Sequence, residues 1–416
     1  MQDLLDKYKD AVGSDIIDEL RQMADSLQGK KIVHVNSTKV GGGVAEILTM
    51  MTHLTSALGI ETRWEVINGT SDFFECTKGF HNSLQGYKQT IPSNRLLQVY
   101  EKVNEDNAEI LRPILDEADF VFIHDPQPAA LIKFFPQRKN KWIWRCHIDV
   151  SNPDRFVWKY LRNFIMQFDA SIFSLADFVQ PLPHPVYLIP PSIDPLNEKN
   201  IELPEQELQA IYPRFGLDPQ RSILLQVSRF DRFKDPLGVI KAYQLVKKFQ
   251  KDVQLILAGG GAPDDPEGEV ILNQVKEAAA HDPDIHILYL PPDSHRTINA
   301  LQRTADIVLQ KSIKEGFGLT VTEALWKKKP VIGGNTGGIR LQVVDHHTGF
   351  LVNTPEGAAL RMRYLLQNPK IMAEMGHTGC QFVRDHFLIT RHLREYLTLI
   401  TGLLHPDSDR IDIKRI

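Results

Sequence analysis

Lys31 to Leu58 reads KIVHVNSTKVGGGVAEILTMMTHLTSAL, and three kinds of segment follow one another in it. Lys31 to Ser37 is a β-branched, apolar run of strand length. Thr38 to Gly43 is a turn ending in three glycines. Val44 to Leu58 is apolar at helical spacing, so the whole is one strand, turn and helix unit.

The same alternation continues outward from it. Strand-like runs recur at Thr62 to Ile67, Phe120 to His124 and Lys141 to His147, each ended by polar or glycine residues. Pro190 to Leu217 is rich in proline and charge and reads as an interdomain connection, with the boundary near 195 to 215. Beyond it come Ile223 to Ser228, Val253 to Ala258, Ile285 to Leu290, Ile307 to Gln310, Pro330 to Gly333 and Gly349 to Val352. The expected fold class is α/β, with two Rossmann-like, doubly wound parallel-sheet domains over residues 1–195 and 196–385 facing a deep cleft. The tail from Pro369 to Leu404 predicts helices, broken near Ile389. The last of them, about 386–416, is expected to pack back on the first domain.

Composition narrows the function. At 416 residues, 42% hydrophobic and 24% charged, with no 18-residue apolar run, the chain reads as a soluble globular protein with no place in a membrane. Basic and acidic residues number 48 and 52, a net charge of −4, so no global field exists to hold a nucleic acid. The three cysteines, Cys76, Cys146 and Cys380, are far apart and never in a C-x-x-C pair, which argues against a disulfide framework and a thiolate zinc site. With no signal-peptide pattern at the N-terminus, a cytoplasmic location is expected.

Ligands of open parallel sheets bind outside the carboxyl ends of the strands, so Gly41, Gly42, Gly43, His124, Asp125 and His147 should converge there in the first domain. His124 reads equally as a core histidine. Four features follow strands in the second domain. In Ser228-Arg229-Phe230-Asp231-Arg232-Phe233-Lys234-Asp235-Pro236, Arg229 and Lys234 can both aim at a phosphate on the N-terminus of a Pro-started helix, although a solvated basic turn also accounts for them. Gly259, Gly260 and Gly261 allow close backbone approach or simply a tight turn.

Glu315-Gly316-Phe317-Gly318-Leu319-Thr320-Val321-Thr322-Glu323-Ala324 opens a helix with two carboxylates eight residues apart. If the span were wholly helical they would stand ~12 Å apart. That exceeds the roughly 5 to 9.5 Å at which two carboxyl groups hydrolyse one glycosidic bond, but suits hydroxyls at two ends of an extended ligand. Surface helix charges are the alternative. Gly333 to Gly338 supplies a further glycine wall or a simple loop. Basic residues, helix amides and spaced carboxylates together describe a diphosphate flanked by two polyhydroxyl groups, a nucleotide sugar.

The R-x-x-x-x-K of Arg229 and Lys234, the E-G-F-G-L-x-x-x-E-A from Glu315 and the early glycine loop resemble retaining GT-B glycosyltransferases of the sucrose-synthase and glycogen-synthase type. HVNSTKVGGGVAEIL, RWEVI, FFECTKGFHNSLQG and IHDPQPAAL in the first domain are similar to the trehalose glycosyltransferring synthases of that class. The resemblance implies transfer of glucose from ADP-glucose or UDP-glucose to glucose with retention, no cofactor, no required metal and a homodimer. It assigns Arg229 and Lys234 to the donor diphosphate and Glu323 to the ribose. Glu315 with the backbone of Gly316, Phe317 and Gly318, ahead of Leu319, would hold the donor sugar and phosphate, with Gly260 nearby. His147 would line the sugar pocket, Gly41 to Val44 would close over the phosphates, and Asp125 and Gln127 are the expected acceptor contacts. Arg340 departs from the small or acidic residue many relatives carry after the glycine wall.

With no carboxylate placed as a nucleophile, the resemblance implies front-face attack, the leaving phosphate taking the acceptor's proton. Asp282-Pro283-Asp284 and Asp407-Ser408-Asp409 match the metal-holding D-x-D only by spacing. Other readings stay open: a transferase with another acceptor (sucrose-phosphate-like, glucosylglycerate-like or polysaccharide-extending), or a silent nucleotide-sugar-binding protein. A nicotinamide oxidoreductase is opposed by the missing G-x-G-x-x-G after Val35.

Overall fold

The computed structural model describes residues 3–39, 42–87, 91–260 and 266–406. Two compact units divide the chain, one built from residues up to 191 together with those from 389 onward, the other from 192 to 388.

The first unit holds six parallel strands, β1 Lys31–Asn36, β2 Glu61–Val66, β3 Phe120–His124, β4 Lys141–Arg145, β5 Ala170–Phe173 and β6 Val186–Leu188, in the order β2-β1-β3-β4-β5-β6. The second holds β7 Ser222–Val227, β8 Val253–Gly259, β9 Ile285–Tyr289, β10 Ile307–Gln310, β11 Val331–Gly334 and β12 Gly349–Val352, in the order β12-β11-β10-β7-β8-β9. β3 is buried at every position and β8 likewise, as strands covered by helices on both faces are, whereas the edge strand β2 is partly exposed. The fold is α/β as expected. β5, no shorter than β10 to β12, was not predicted, nor was β6, which lies between Pro185 and Pro190, where proline is compatible only with an edge.

In each sheet the strand order reverses once, between β1 and β3 in the first and between β7 and β10 in the second. Such switch points leave a crevice beyond the strand ends. The loops that follow β1, β3, β7 and β10 carry most of the residues singled out above.

The core of the first unit joins Ile17 and Leu20 of the helix Ser14–Asp25 and Leu54 of the helix Gly42–Ala57 to Leu393, Leu397 and Ile400 of the helix Ile389–Leu404. That of the second is formed by β7 to β12 with Val239, Tyr243 and Met362 from flanking helices. From Ser192 onward, the charged, proline-rich stretch that reads as a connection belongs to the second unit. Arg303 donates to the carbonyls of Asn200 and Ile201 at 3.1 and 2.9 Å and pairs with Glu202 at 2.6 Å.

Candidate active site

In the second unit, Gln226 at the end of β7 donates to the carbonyl of Lys234 at 2.8 Å, fixing the turn that carries the basic pair. Asp231 accepts from the Phe233 amide at 2.6 Å within that turn. Asp235, in left-handed backbone at φ +50°, caps the helix Pro236–Lys247 by accepting from the Gly238 amide at 3.1 Å. Arg229 is 57% exposed, with Nη2 3.3 Å from Asp231 Oδ2. Lys234 turns inward, and its Nζ lies 2.6 Å from Glu315 Oε2.

That carboxylate oxygen also accepts from Ser312 Oγ at 3.1 Å and Gln310 Nε2 at 3.4 Å, while Thr320 Oγ1 donates to Gln310 Oε1 at 3.2 Å. Glu315 is thus held by both strand ends of the switch point. Lys311 lies buried and ion-paired to Asp235. Gln310, Lys311 and Ser312 escaped sequence reasoning; the polar Q-K-S run closing the apolar β10 was the signal that could have found them.

The helix of the glutamate motif begins only at Leu319, with Gly318 at φ +85° as its N-cap. Glu315 lies before it, so the ~12 Å expected for a continuous helix does not apply. Neither carboxylate is a surface charge: Glu315 is 8% exposed and Glu323 only 2%, the latter accepting from Gln302 Nε2 at 3.2 Å. Phe317 is buried against Phe387, ring centroids 5.6 Å apart, so its backbone rather than its ring is available beside Gly316 and Gly318.

The glycines have neighbours that explain them. A Cβ on Gly337 would lie 1.7 Å from the Glu315 carbonyl oxygen, and one on Gly338 2.5 Å from Phe317 Cα. The glycine wall therefore backs directly onto the glutamate turn. Gly259 packs on the Ser228 carbonyl and Gly260 on that of Leu290. Gly261 lies outside the described residues. Arg340 is exposed in the short helix Ile339–Gln342.

Asp282 and Asp284 precede β9, at the opposite end of the sheet from the glycine loops. Lys247 pairs with both, and Arg221 lies 2.6 Å from Asp284, whose carboxyl it holds well below the usual range. Asp407 to Asp409 lie outside the described residues, among which no group of three or more His, Cys, Asp or Glu is arranged to hold a metal ion.

In the first unit, Gly41 lies outside the described residues. Gly42, at φ +79°, and Gly43 begin the helix Gly42–Ala57 instead of preceding it, so the amides of Gly42, Gly43 and Val44 belong to its first turn. Such first-turn amides lack partners inside the helix and suit an anion. Asn36 at the end of β1 steadies this connection, donating to the Thr38 carbonyl at 2.7 Å and accepting from Trp64 Nε1 at 2.9 Å.

β4 stops at Arg145, leaving His147 in the loop beyond it. Asp125, in left-handed backbone at φ +64°, accepts from the His147 amide at 2.7 Å through Oδ1. Burial pushes its carboxyl up to about 7. His147 Nε2 is 3.0 Å from His124 Nδ1, and His124 Nε2 is 3.0 Å from His34 Nδ1. Burial holds His34 down to about 3 and, chiefly by the same cause, His124 and His147 well below the usual histidine range. The structure therefore joins His124, Asp125 and His147. Gln127 is partly exposed two residues further, its carbonyl accepting from Asn104 Nδ2 at 3.1 Å.

Two family descriptions divide the chain between them: "Trehalose synthase, N-terminal domain" matches residues 34–180 and "Glycosyl transferases group 1" residues 209–381. The chain is 45% identical over 402 residues to a trehalose synthase of Pyrococcus horikoshii, covering 96% of each. It is 42% identical over 405 residues to one of Rubrobacter xylanophilus, covering 95% of this chain and 96% of that one. In structure it matches sucrose-phosphate synthase from Thermosynechococcus elongatus with a TM-score of 0.71 at 18% identity, over 91% of this chain and 100% of the other.

The two parallel sheets are those of a GT-B glycosyltransferase, and the protein is a hexosyltransferase. Within that class, the chain belongs to the trehalose synthase family.

Proposed function

We propose that the chain makes trehalose by transferring the glucosyl group of ADP-glucose or UDP-glucose to glucose, with retention of configuration. The observation that carries this reading is the Lys234–Glu315 pair at the switch point, in a chain 45% identical to trehalose synthases.

The bond from the anomeric carbon to phosphate breaks, the bond to the acceptor hydroxyl oxygen forms on the same face, and the departing phosphate takes the acceptor's proton. Negative charge grows on the diphosphate as it leaves. Lys234, Arg229 and the helix N-termini are assigned to that charge, each charge-assisted hydrogen bond contributing roughly 1.5 to 3 kcal/mol. Glu315 and the backbone from Gly316 to Gly318 take the donor sugar, Glu323 the ribose, and Gly42 to Val44 the phosphates from the first unit. His147 lines the sugar pocket, with Asp125 and Gln127 toward the acceptor. The reading needs no metal and includes a homodimer.

Purified protein incubated with glucose and, separately, ADP-, UDP- or GDP-glucose, with and without EDTA, tests it. The expected product is a non-reducing disaccharide cleaved by trehalase, formed equally in both conditions. Donor binding without that disaccharide would move the search to other acceptors.

A further inference from the structure

Three histidines of the first unit, His147, His124 and His34, form one chain from the strand ends into the core. His147 is partly exposed, whereas His124 and His34 are 2% and 1% exposed. Phe122 stacks on His34 with centroids 4.9 Å apart, and Tyr396 of the helix Ile389–Leu404 tilts against it at 6.3 Å. The titratable and charged groups around the chain are Asp125, Arg145, His392 and Tyr396, with Glu395 acting on Arg145 from the same helix.

A hydrogen bond between two imidazoles needs one bare nitrogen and one N–H. A neutral ring carries a single N–H, so only two arrangements satisfy both 3.0 Å contacts. In the first, His34 Nδ1–H donates to His124, His124 Nδ1–H donates to His147, and His147 must carry its proton on Nδ1. In the second both bonds reverse, and His147 Nδ1 is bare. No arrangement lets one ring change alone. Burial lowers the proton affinity of all three rings, which disfavours the doubly protonated alternatives.

We propose that His34 and His124 are positioning residues that lock His147 in one tautomer, and so decide whether its Nδ1 donates or accepts a hydrogen bond at a hydroxyl of the donor sugar. The proposal rests on the reading of His147 as a donor-sugar contact. It extends the working site two rings inward, to side chains that touch no substrate.

Long-range proton–nitrogen NMR of the full chain labelled with 15N-histidine reads the tautomer directly. In the unaltered protein His147 is expected to show one protonated and one bare nitrogen. Shifts averaged between the two forms would overturn the proposal without any variant. His34→Phe keeps a ring on Phe122 but ends the chain, so the His147 tautomers should mix and kcat/KM for the nucleotide sugar should fall about five- to tenfold, the size of one ordinary hydrogen bond. His34→Asn, whose side-chain amide occupies the place of Nδ1, should restore both readouts. An unmoved His147 signal in His34→Phe, or a rate loss in His34→Asn equal to that of Phe, would assign His34 to packing alone and sink the idea. His147→Ala separates the two layers: normal turnover there removes His147 from the donor site, while the tautomer spectrum still decides whether the chain locks it.

Discussion

Lys234 and Glu315 lie 81 positions apart in the sequence, yet Nζ of one stands 2.6 Å from Oε2 of the other. Each follows a different strand of the second sheet, and β7 and β10 are the neighbours between which the strand order reverses. The carboxylate keeps Ser312 and Gln310 as donors when the lysine turns elsewhere, so Lys234 can exchange partners without leaving Glu315 bare.

Lys234→Ala is expected to lower kcat with ADP-glucose by roughly 10- to 150-fold, the equivalent of one charge-assisted hydrogen bond at the leaving group. Its thermal midpoint should stay within a few degrees of the parent, because Glu315 retains two donors. Lys234→Ala combined with Glu315→Gln should lose less than the two single losses together, since the residues share one contact. Near-normal turnover in Lys234→Ala removes it from the site.

Gly337→Ala should unsettle the glutamate turn. Its Cβ would fall 1.7 Å from the Glu315 carbonyl oxygen at a backbone φ of +45°. Strain and overpacking together cost on the order of 3 kcal/mol, enough to lower the unfolding midpoint of a unit this size by about 10 °C. Gly357→Ala, whose Cβ would meet nothing closer than 3.5 Å, is the control and should leave the midpoint unchanged.

Asp125 sets a pH dependence of the first unit. Its carboxyl is raised to about 7 from 3.8, so the native state binds more protons than the unfolded chain between those values, and this group's contribution falls as pH rises through that window. Asn in its place still offers an oxygen to the His147 amide. The midpoint of Asp125→Asn relative to the parent should therefore climb from pH 4 to 7 and level off above it. A difference that is flat with pH would show that the Asp125 carboxyl titrates normally.

Lys327 produces the opposite slope in the second unit. It is buried, donates to Asn200 Oδ1 at 3.0 Å and to the Glu323 carbonyl at 3.1 Å, and burial lowers its pKa to about 7 from 10.5. The unfolded chain then binds more protons across that range, so stability should rise with pH from 7 toward 10.5. Lys327→Met should abolish that rise and, by leaving Asn200 Oδ1 without its donor, cost about 1–3 kcal/mol at pH 9. Chemical unfolding of both proteins at pH 7 and 9 checks it.

Much of this architecture could be read from local pattern. β3 is an apolar run ended by His124, and β1 and β7 are mostly apolar with one polar residue inside each, His34 and Gln226, a composition that fits strands buried on both faces. β6 could not, because the prolines around Val186 mimic a loop, whereas β5 is as long as β10 to β12 and went unread although its length does not set it apart. The motif residues Lys234 and Glu315 were legible by spacing, but the contact between them was not, since it depends on which strands are neighbours. The glycines show the same limit from the other side. Gly259, Gly334 and Gly337 each accommodate a carbonyl from a distant loop, a constraint that only the folded chain reveals. His34 reads as a strand residue and nothing more until its ring is seen against His124.

The helix Ile389–Leu404 has a consequence for how the molecule is made. It supplies Leu393, Leu397 and Ile400 to a core whose other walls, Leu20 and Leu54 among them, were synthesised more than 300 residues earlier. Translation runs from the N-terminus, so residues 192–388 are complete while the earlier unit still lacks one side of its interior. The unit that begins first must finish last. A chain released before residue 389 would carry a complete second unit attached to an open first one, with an apolar face exposed to whatever chaperone meets it.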